Sequence, residues 1–180
     1  CREEGRYIGW PTLLRRKNGE LIAVFSGDRV WHVCPFGKVQ AVRSRDDGRT
    51  WSKPETWVNG PLDDRDAGLV ELADGRLVIN ARAIDGFGRE IHVSSDRGET
   101  WAWRTDVHLV DPRCNAEVVR CRAADGASIL AYAGCGQRRR ATLVLRLSRD
   151  EGKTWSERIL DPAKCGYVDS AVMADGSLGI

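Results

Sequence analysis

Apolar residues along this chain come in short runs that alternate with polar ones and do not recur at helical spacing. Leu143, Leu145 and Leu147 occupy every second position, the period of a strand with one buried face. Between such runs stand Asn18-Gly19, Asp74-Gly75, Asp125-Gly126 and Asp175-Gly176, dipeptides that favour a tight hairpin. A second punctuation interleaves with the first. Ser44-Arg45-Asp46-Asp47-Gly48-Arg49-Thr50-Trp51 returns as residues 94–101 and again as residues 148–155, in the pattern S-x-D-x-G-x-T-W, with glycines 50 and 54 residues apart. A period of about 50 residues marks one supersecondary unit repeated.

Each unit reads as four antiparallel strands. The first holds Trp10–Arg15, Leu21–Ser26, Lys38–Ser44 and an outer strand from Thr50. The second holds Gly68–Leu72, Leu77–Ala81, Glu90–Ser94 and a strand from Thr100. The third holds Glu117–Cys121, Ile129–Ala133, Thr142–Ser148 and a strand from Thr154, and a fourth runs from Tyr167–Met173 to Ile180. No segment shows a convincing helix. This is the pattern of an all-β protein, a β-propeller of four-stranded antiparallel blades with about three and a half blades present. The blades are placed at 7–60, 61–110, 111–162 and 163–180 of a single domain. Three and a half blades close no ring, so the expectation is a piece of a longer chain. A homodimer would complete the ring if the chain is naturally this short.

The eight-residue repeat is expected to build a turn and to do no chemistry. Its aspartate accepts from backbone N–H groups, its glycine takes a positive φ, Ser and Thr bond across the loop, and Trp51 opens the returning strand with an apolar face to bury. Composition changes the picture little. Charged residues make up 30% and the net charge is +2, which gives no general polycation for nucleic acid. No apolar run approaches the ~20 residues of a membrane-spanning helix. Of 28 basic residues five are lysines, leaving 23 arginines, whose planar fork suits carboxylates and phosphates. The six cysteines, at 1, 34, 114, 121, 135 and 165, form no C-x-x-C pair and indicate no disulfide framework. Cys114 and Cys121 flank one strand at an odd spacing that sets them on opposite faces. His32-x-Cys34 is a poor metal candidate, and no cofactor is called for.

In a propeller the loops before each first strand and after each second one form the mouth of the central channel. Here these are 6–9, 27–36, 63–67, 82–89, 113–116, 134–140 and 165–169. They concentrate arginine, acids and one tyrosine. Asp63-Asp64-Arg65-Asp66 groups carboxylates with a guanidinium, a set that can raise one acid for proton transfer while holding an anion, or simply form a solvated turn. Asp28-Arg29 leads into Trp31, His32 and Phe36, which suits a sugar ring or caps a blade. Arg138-Arg139-Arg140 is a solvated face unless one guanidinium turns inward. Tyr167 is either a core aromatic or, beside an acid such as Glu117, a nucleophile.

The repeated D-x-G-x-T-W turns resemble the Asp-boxes of the sialidase (neuraminidase) superfamily, six-bladed propellers when complete. The resemblance covers nearly the whole chain. It implies three arginines clamping a substrate carboxylate, an aspartate acid/base and a tyrosine nucleophile assisted by a glutamate, the tyrosine being the exception among glycosidases. Gly134 to Arg140 is similar to the strand carrying one clamp arginine, matched by Arg140. Gly166-Tyr167-Val168-Asp169 is similar to Gly/Ala-Tyr-Ser-Asp and puts Tyr167 at the nucleophile. Asn80-Ala81-Arg82 resembles Asn-Ala-Arg and makes Arg82 a second clamp residue. Asp66 falls at the assisting acid, with Glu117 the alternative. Asp28 is the only aspartate where the acid/base belongs. Tyr7-Ile8-Gly9-Trp10-Pro11 stands where the family has Tyr-Arg-Ile-Pro and lacks its arginine, which leaves Arg6 or Arg29 to supply it; Arg65 is a further candidate.

The resemblance implies a retaining hydrolase of terminal sialic acid or a related acidic sugar, with a glycan as its partner and no metal. It favours a secreted or periplasmic setting. Two rival readings stand beside it. One is a non-catalytic propeller that binds carbohydrate or protein. The other is a glycosidase using two carboxylates from Asp28, Asp63, Asp64 and Asp66.

Overall fold

The fold comes from a computed structural model that describes residues 4–83, 88–94, 96, 98, 100–110, 114 and 116–180, with the side chains at 82–83, 88–93, 103–108 and 110 outside that description. It is all-β, and no described residue is helical. Strands β1 (Tyr7–Arg15), β2 (Leu21–Arg29), β3 (Lys38–Ser44) and β4 (Glu55–Val58) make one antiparallel sheet in chain order. Strands β5 (Asp64–Glu71), β6 (Leu77–Ala83), β7 (Gly88–Ser94) and β8 (Ala102–Val110) make the next. Strands β9 (Glu117–Arg122), β10 (Ser128–Cys135), β11 (Leu143–Ser148) and β12 (Ser156–Asp161) make the third, and β13 (Ala171–Val172) pairs with β14 (Leu178–Gly179). Successive sheets meet through their first strands, β1 on β5, β5 on β9 and β9 on β13, as blades do around an axis.

Strand β5 shows why the apolar pattern builds stacked sheets. It is buried along its whole length. Ala67 and Leu69 join Ile22, Val24 and Val39 of the first sheet, while Val70 and Leu72 turn the other way and join Val118, Leu130 and Tyr132 of the third. Strand periodicity thus fills two cores from one strand. Charged clips tie the turns below. Arg16, between β1 and β2, donates to Glu20 (3.1 Å) and to Glu71 at the end of β5 (2.9 Å). Arg120 of β9 donates to the Glu71 carbonyl (3.0 Å).

The three repeated turns share one hydrogen-bond pattern. In the first, Ser44 Oγ donates to Asp46 Oδ1 (2.8 Å) and accepts from the Gly48 N–H (2.9 Å). The Thr50 N–H and hydroxyl both donate to Asp46, at 2.9 and 2.5 Å. Ser94, Asp96, Gly98 and Thr100 repeat these bonds, as do Ser148, Asp150, Gly152 and Thr154. The three glycines take φ of 86°, 95° and 84°, which a Cβ would oppose.

The tryptophans that close these turns diverge from expectation. Trp101 packs on the core between the first two sheets and Trp155 on the core between the second and third. Each therefore reaches back to the preceding sheet. Trp51 has no described sheet before it and stays 41% exposed, its indole N–H donating to the Gly48 carbonyl (3.0 Å). The outer strand also starts at Glu55 and not at Thr50, because residues 46–50 are spent on the turn.

The cysteines need a correction. Cys135, at the end of β10, is joined to Cys165 in a disulfide, while Cys34, Cys114 and Cys121 are buried thiols outside any disulfide. Thirty residues separate the bridged pair, and no spacing motif announces a link that only the blade-to-blade crossing creates.

Two predictions follow from these bonds. Hydrogen bonds from Thr50 and Ser44 hold the Asp46 carboxyl at about 2, and those from Thr154 and Ser148 hold Asp150 there too. Both folded values lie below the unfolded one, so this stabilisation is present above the ordinary aspartate range and is lost as pH falls through about 2. Asp150→Ala should lower the melting temperature by several degrees at pH 7 and erase that part of the acid dependence in calorimetry. A Cys165→Ser variant should lose about 2–4 kcal/mol in denaturant unfolding under oxidising conditions, the usual worth of such a loop closure.

Candidate active site

Two clusters occupy the end of the channel where first strands begin and second strands end. Irregular backbone marks the place. The β1–β2 register slips between Tyr7 and Thr12, and the β5–β6 register slips between Arg65 and Gly68. Inside these bulges Trp10 and Asp66 take φ of 50° and 53°, and Asp28 at the end of β2 takes 50°. Bulges of this kind re-aim side chains, and left-handed non-glycine residues cost energy that the surrounding structure must hold in place.

The first cluster is built on Asp63. Its carboxylate accepts from Arg29 Nη2, from Arg65 Nη2 (2.7 Å) and from the Cys34 N–H (2.9 Å). Arg29 also donates to the His32 carbonyl (3.0 Å) and the Asp64 carbonyl (3.1 Å), and Arg65 to the His32 carbonyl. Both guanidiniums lie over the Trp10 ring, at 5.5 Å and 4.8 Å from its centroid. His32 stacks edge-on against the same indole (5.0 Å) and meets the Tyr7 hydroxyl (3.3 Å). Arg29 is wholly buried. Burial lowers its pKa and Asp63 opposes the shift. A Cβ on Gly37 would collide with the Arg29 guanidinium and the Asp63 carboxylate, which accounts for glycine there. Asp66 is buried beside this cluster, its N–H donating to Ser26 Oγ (3.1 Å).

The second cluster surrounds Tyr167. A cleft of roughly 480 Å³ is lined by Trp10 to Leu13 of β1, by Glu117 at the start of β9 and by Tyr167 to Ser170. Tyr167 is 59% exposed and precedes the last hairpin; it does not open a long inner strand, because β13 begins only at Ala171. The Cys135–Cys165 bridge anchors the segment two residues ahead of it. The Arg140 guanidinium lies over the Tyr167 ring (5.1 Å). The Cys114 sulfur and then Tyr167 push its pKa up. Glu117 is half-buried and hydrogen-bonded to Asp169; burial first, then that bond, push its pKa up to about 8. Asp169 is shifted down by the same bond.

The sequence-derived residues thus fall into distinct places. Tyr167, Glu117 and Arg140 come together. Arg29 and Arg65 come together on Asp63, and Asp66 lies beside them. Asp28 stands apart in ion pairs with Lys38 (2.5 Å) and Arg6 (3.2 Å), and the Lys38 bond above all holds its pKa down. The Arg82 backbone pairs with Arg65, while its side chain, residues 84–87, Arg113 and Asn115 lie outside the described residues. Sequence reasoning did not single out Trp10, Asp63 as the hub of two arginines, or Asp169 as the partner of Glu117. The S-x-D of the turns and the Tyr-x-Asp of residues 167–169 carry no signal that separates them. Among the described residues no three His, Cys, Asp or Glu side chains gather to hold a metal ion, and no helix is long and apolar enough to cross a membrane.

Radially stacked four-stranded sheets with an Asp-box between third and fourth strands define an Asp-box propeller. The BNR repeat-like domain model matches residues 66–180, and the chain belongs to that family, within the sialidase superfamily. A sialidase of Micromonospora viridifaciens is 33% identical over 156 residues, which is 80% of this chain and 24% of that protein. The chain spans about a quarter of the length of the curated sialidases it matches. Among solved structures, a protein of unknown function from Dyadobacter fermentans superposes with a TM-score of 0.75 at 19% identity, over 98% of this chain and 62% of that one. The NanB sialidase of Streptococcus pneumoniae gives 0.70 at 18% identity, over 97% of this chain and 27% of that one.

The Asp63 hub generates a stability prediction. Removing its carboxylate leaves two buried guanidiniums uncompensated, so Asp63→Ala should cost about 3–5 kcal/mol. Urea unfolding of wild type and variant measures it. A loss below ~1 kcal/mol, the scale of an exposed ion pair, would contradict the network's burial.

Proposed function

We propose that this chain forms part of a sialidase-like glycoside hydrolase acting on terminal sialic acid or a related acidic sugar by a retaining route. The observation that carries the reading is one cleft holding Tyr167, a protonatable Glu117 and, over the phenol ring, Arg140. A phenol attacks the anomeric carbon only as its proton leaves, and Glu117 lines the same cleft as the acceptor; Asp66, on the other cluster, is the alternative base. Arg140 and Arg82 supply the carboxylate clamp. Fixed cations there oppose the charge of the substrate carboxylate while the ring develops oxocarbenium character. Arg29 and Arg65 contribute less directly, since Asp63 already engages both. Asp28, kept ionised by Lys38 and Arg6, suits the second half-reaction, in which an acid/base takes a proton from water. No cofactor enters this chemistry.

A binding propeller is the second reading. It is favoured by β1 lacking an arginine at its mouth and by the Asp63 neutralisation of Arg29 and Arg65.

The test uses the full-length protein and a fluorogenic sialoside. Wild type should cleave it, and Tyr167→Phe should lose about 10³-fold or more in kcat, as removal of a nucleophile commonly does. Cleavage that survives the substitution points to a two-carboxylate glycosidase. A wild type that cleaves no glycoside points to binding.

A further inference from the structure

The Glu117–Asp169 contact has a function that the bare nucleophile-and-base picture does not need. Ser170 donates its N–H to both carboxyls, at 3.2 Å to Glu117 Oε2 and 2.9 Å to Asp169 Oδ1. That shared donor and the direct hydrogen bond hold the two acids together at the wall of the cleft that contains Tyr167. Two carboxyls so close titrate as a pair and keep one proton between them over a wide range.

We propose that Asp169 is a positioning residue for Glu117: the two carboxyls hold one shared proton beside Tyr167, so that Glu117 takes the phenol proton while passing its own to Asp169. The idea rests on the hydrolase reading given above. In the step, the Tyr167 O–H bond breaks and its electron pair forms the bond to the anomeric carbon. The glycosidic C–O bond breaks, and its pair leaves on the aglycone oxygen, which is protonated from the acid/base side. The phenol proton ends on Glu117 and the Glu117 proton on Asp169. Hydrolysis of the glycosyl–tyrosine bond returns both.

The relay resolves a conflict in the site. Half-buried and set against Asp169, Glu117 stays protonated up to about pH 8 and, acting by itself, would be a poor base at neutral pH. Coupled to an ionised Asp169, the pair can accept a proton throughout the range in which Asp169 is charged. The groups facing the pair among the described residues leave this balance to the two acids. Strand β1 presents only Trp10 to Leu13, β9 presents Glu117, the segment before β13 presents Tyr167 and Asp169, and the β10–β11 loop presents Arg140 over the phenol, with Cys114 beside it.

The experiment is a ¹³C carboxyl NMR titration of the full-length protein, run beside the pH dependence of kcat/KM on a fluorogenic sialoside. In wild type, Glu117 and Asp169 should titrate as a coupled pair, one above and one below the ordinary carboxylate range. In Asp169→Asn the Glu117 titration should move down. The acid limb of kcat/KM should then move up by about a pH unit or more, because the single remaining carboxyl must itself ionise; Asp169→Glu should restore it. A Glu117 titration unmoved in Asp169→Asn would overturn the pairing. A uniform loss of activity with the acid limb in place would make Asp169 merely structural and overturn the relay. Absence of cleavage by wild type would sink the hydrolase reading and the transfer step with it, while the coupled titration would still support the shared proton.

Discussion

The neutralisation of buried charge by Asp63 is the constraint around which this structure is arranged. Arg29 ends β2 with no exposed surface, and Arg65 is nearly as deep. A guanidinium that loses its water costs several kcal/mol unless an anion and carbonyls replace it. Asp63 supplies the anion to both, and the carbonyls of His32 and Asp64 add further acceptors. To do so, the loop after β2 must fold back over the start of β5, with Gly37 giving the close approach and the Asp64 N–H bonded to the Gly37 carbonyl (3.0 Å). One requirement of charge thus fixes how the first sheet meets the second. It also fixes Trp10, whose ring is the apolar lid under both cations and at the same time a wall of the Tyr167 cleft.

The opposite end of each sheet is governed by a different economy. There the Asp-box carboxylates are half-exposed and are stabilised by turn donors, with no described ion pair reaching them. The turn sets where its tryptophan goes, and the tryptophan reaches back to the sheet before. The repeat is therefore a device for stacking blades, which is why it recurs once per four-stranded sheet although the site at the other end differs from blade to blade.

This division explains what could be read from the residues. Alternation and the two sets of turn dipeptides carry the strands and their antiparallel order because both are local. Boundaries shift where local signals stop. Strands β1 and β5 start three and four residues earlier than alternation suggests, since the bulges at Trp10 and Asp66 break the period while the ladder continues. Tyr167 and Glu117 were legible as neighbours because both stand at the entrance of a first strand, whereas Arg140 was picked out of its arginine run only through resemblance. The Cys135–Cys165 bridge and the Asp63 hub were not legible at all. Each depends on which blade neighbours which at the axis, and no spacing encodes that.

The two clusters at the mouth treat charge in opposite ways. Around Asp63 two buried guanidiniums share one buried carboxylate, so the charges are held inside the protein. Around Tyr167 the polar groups face an open cleft: the phenol is exposed, Arg140 rests on its ring, and two acids lean on one another with no cation between them in any described ion pair. Two carboxyls set this close cannot both ionise freely, so one of them keeps its proton. Under the proposed hydrolase reading, the buried cluster acts as the scaffold and the acid pair beside the phenol as the reacting group.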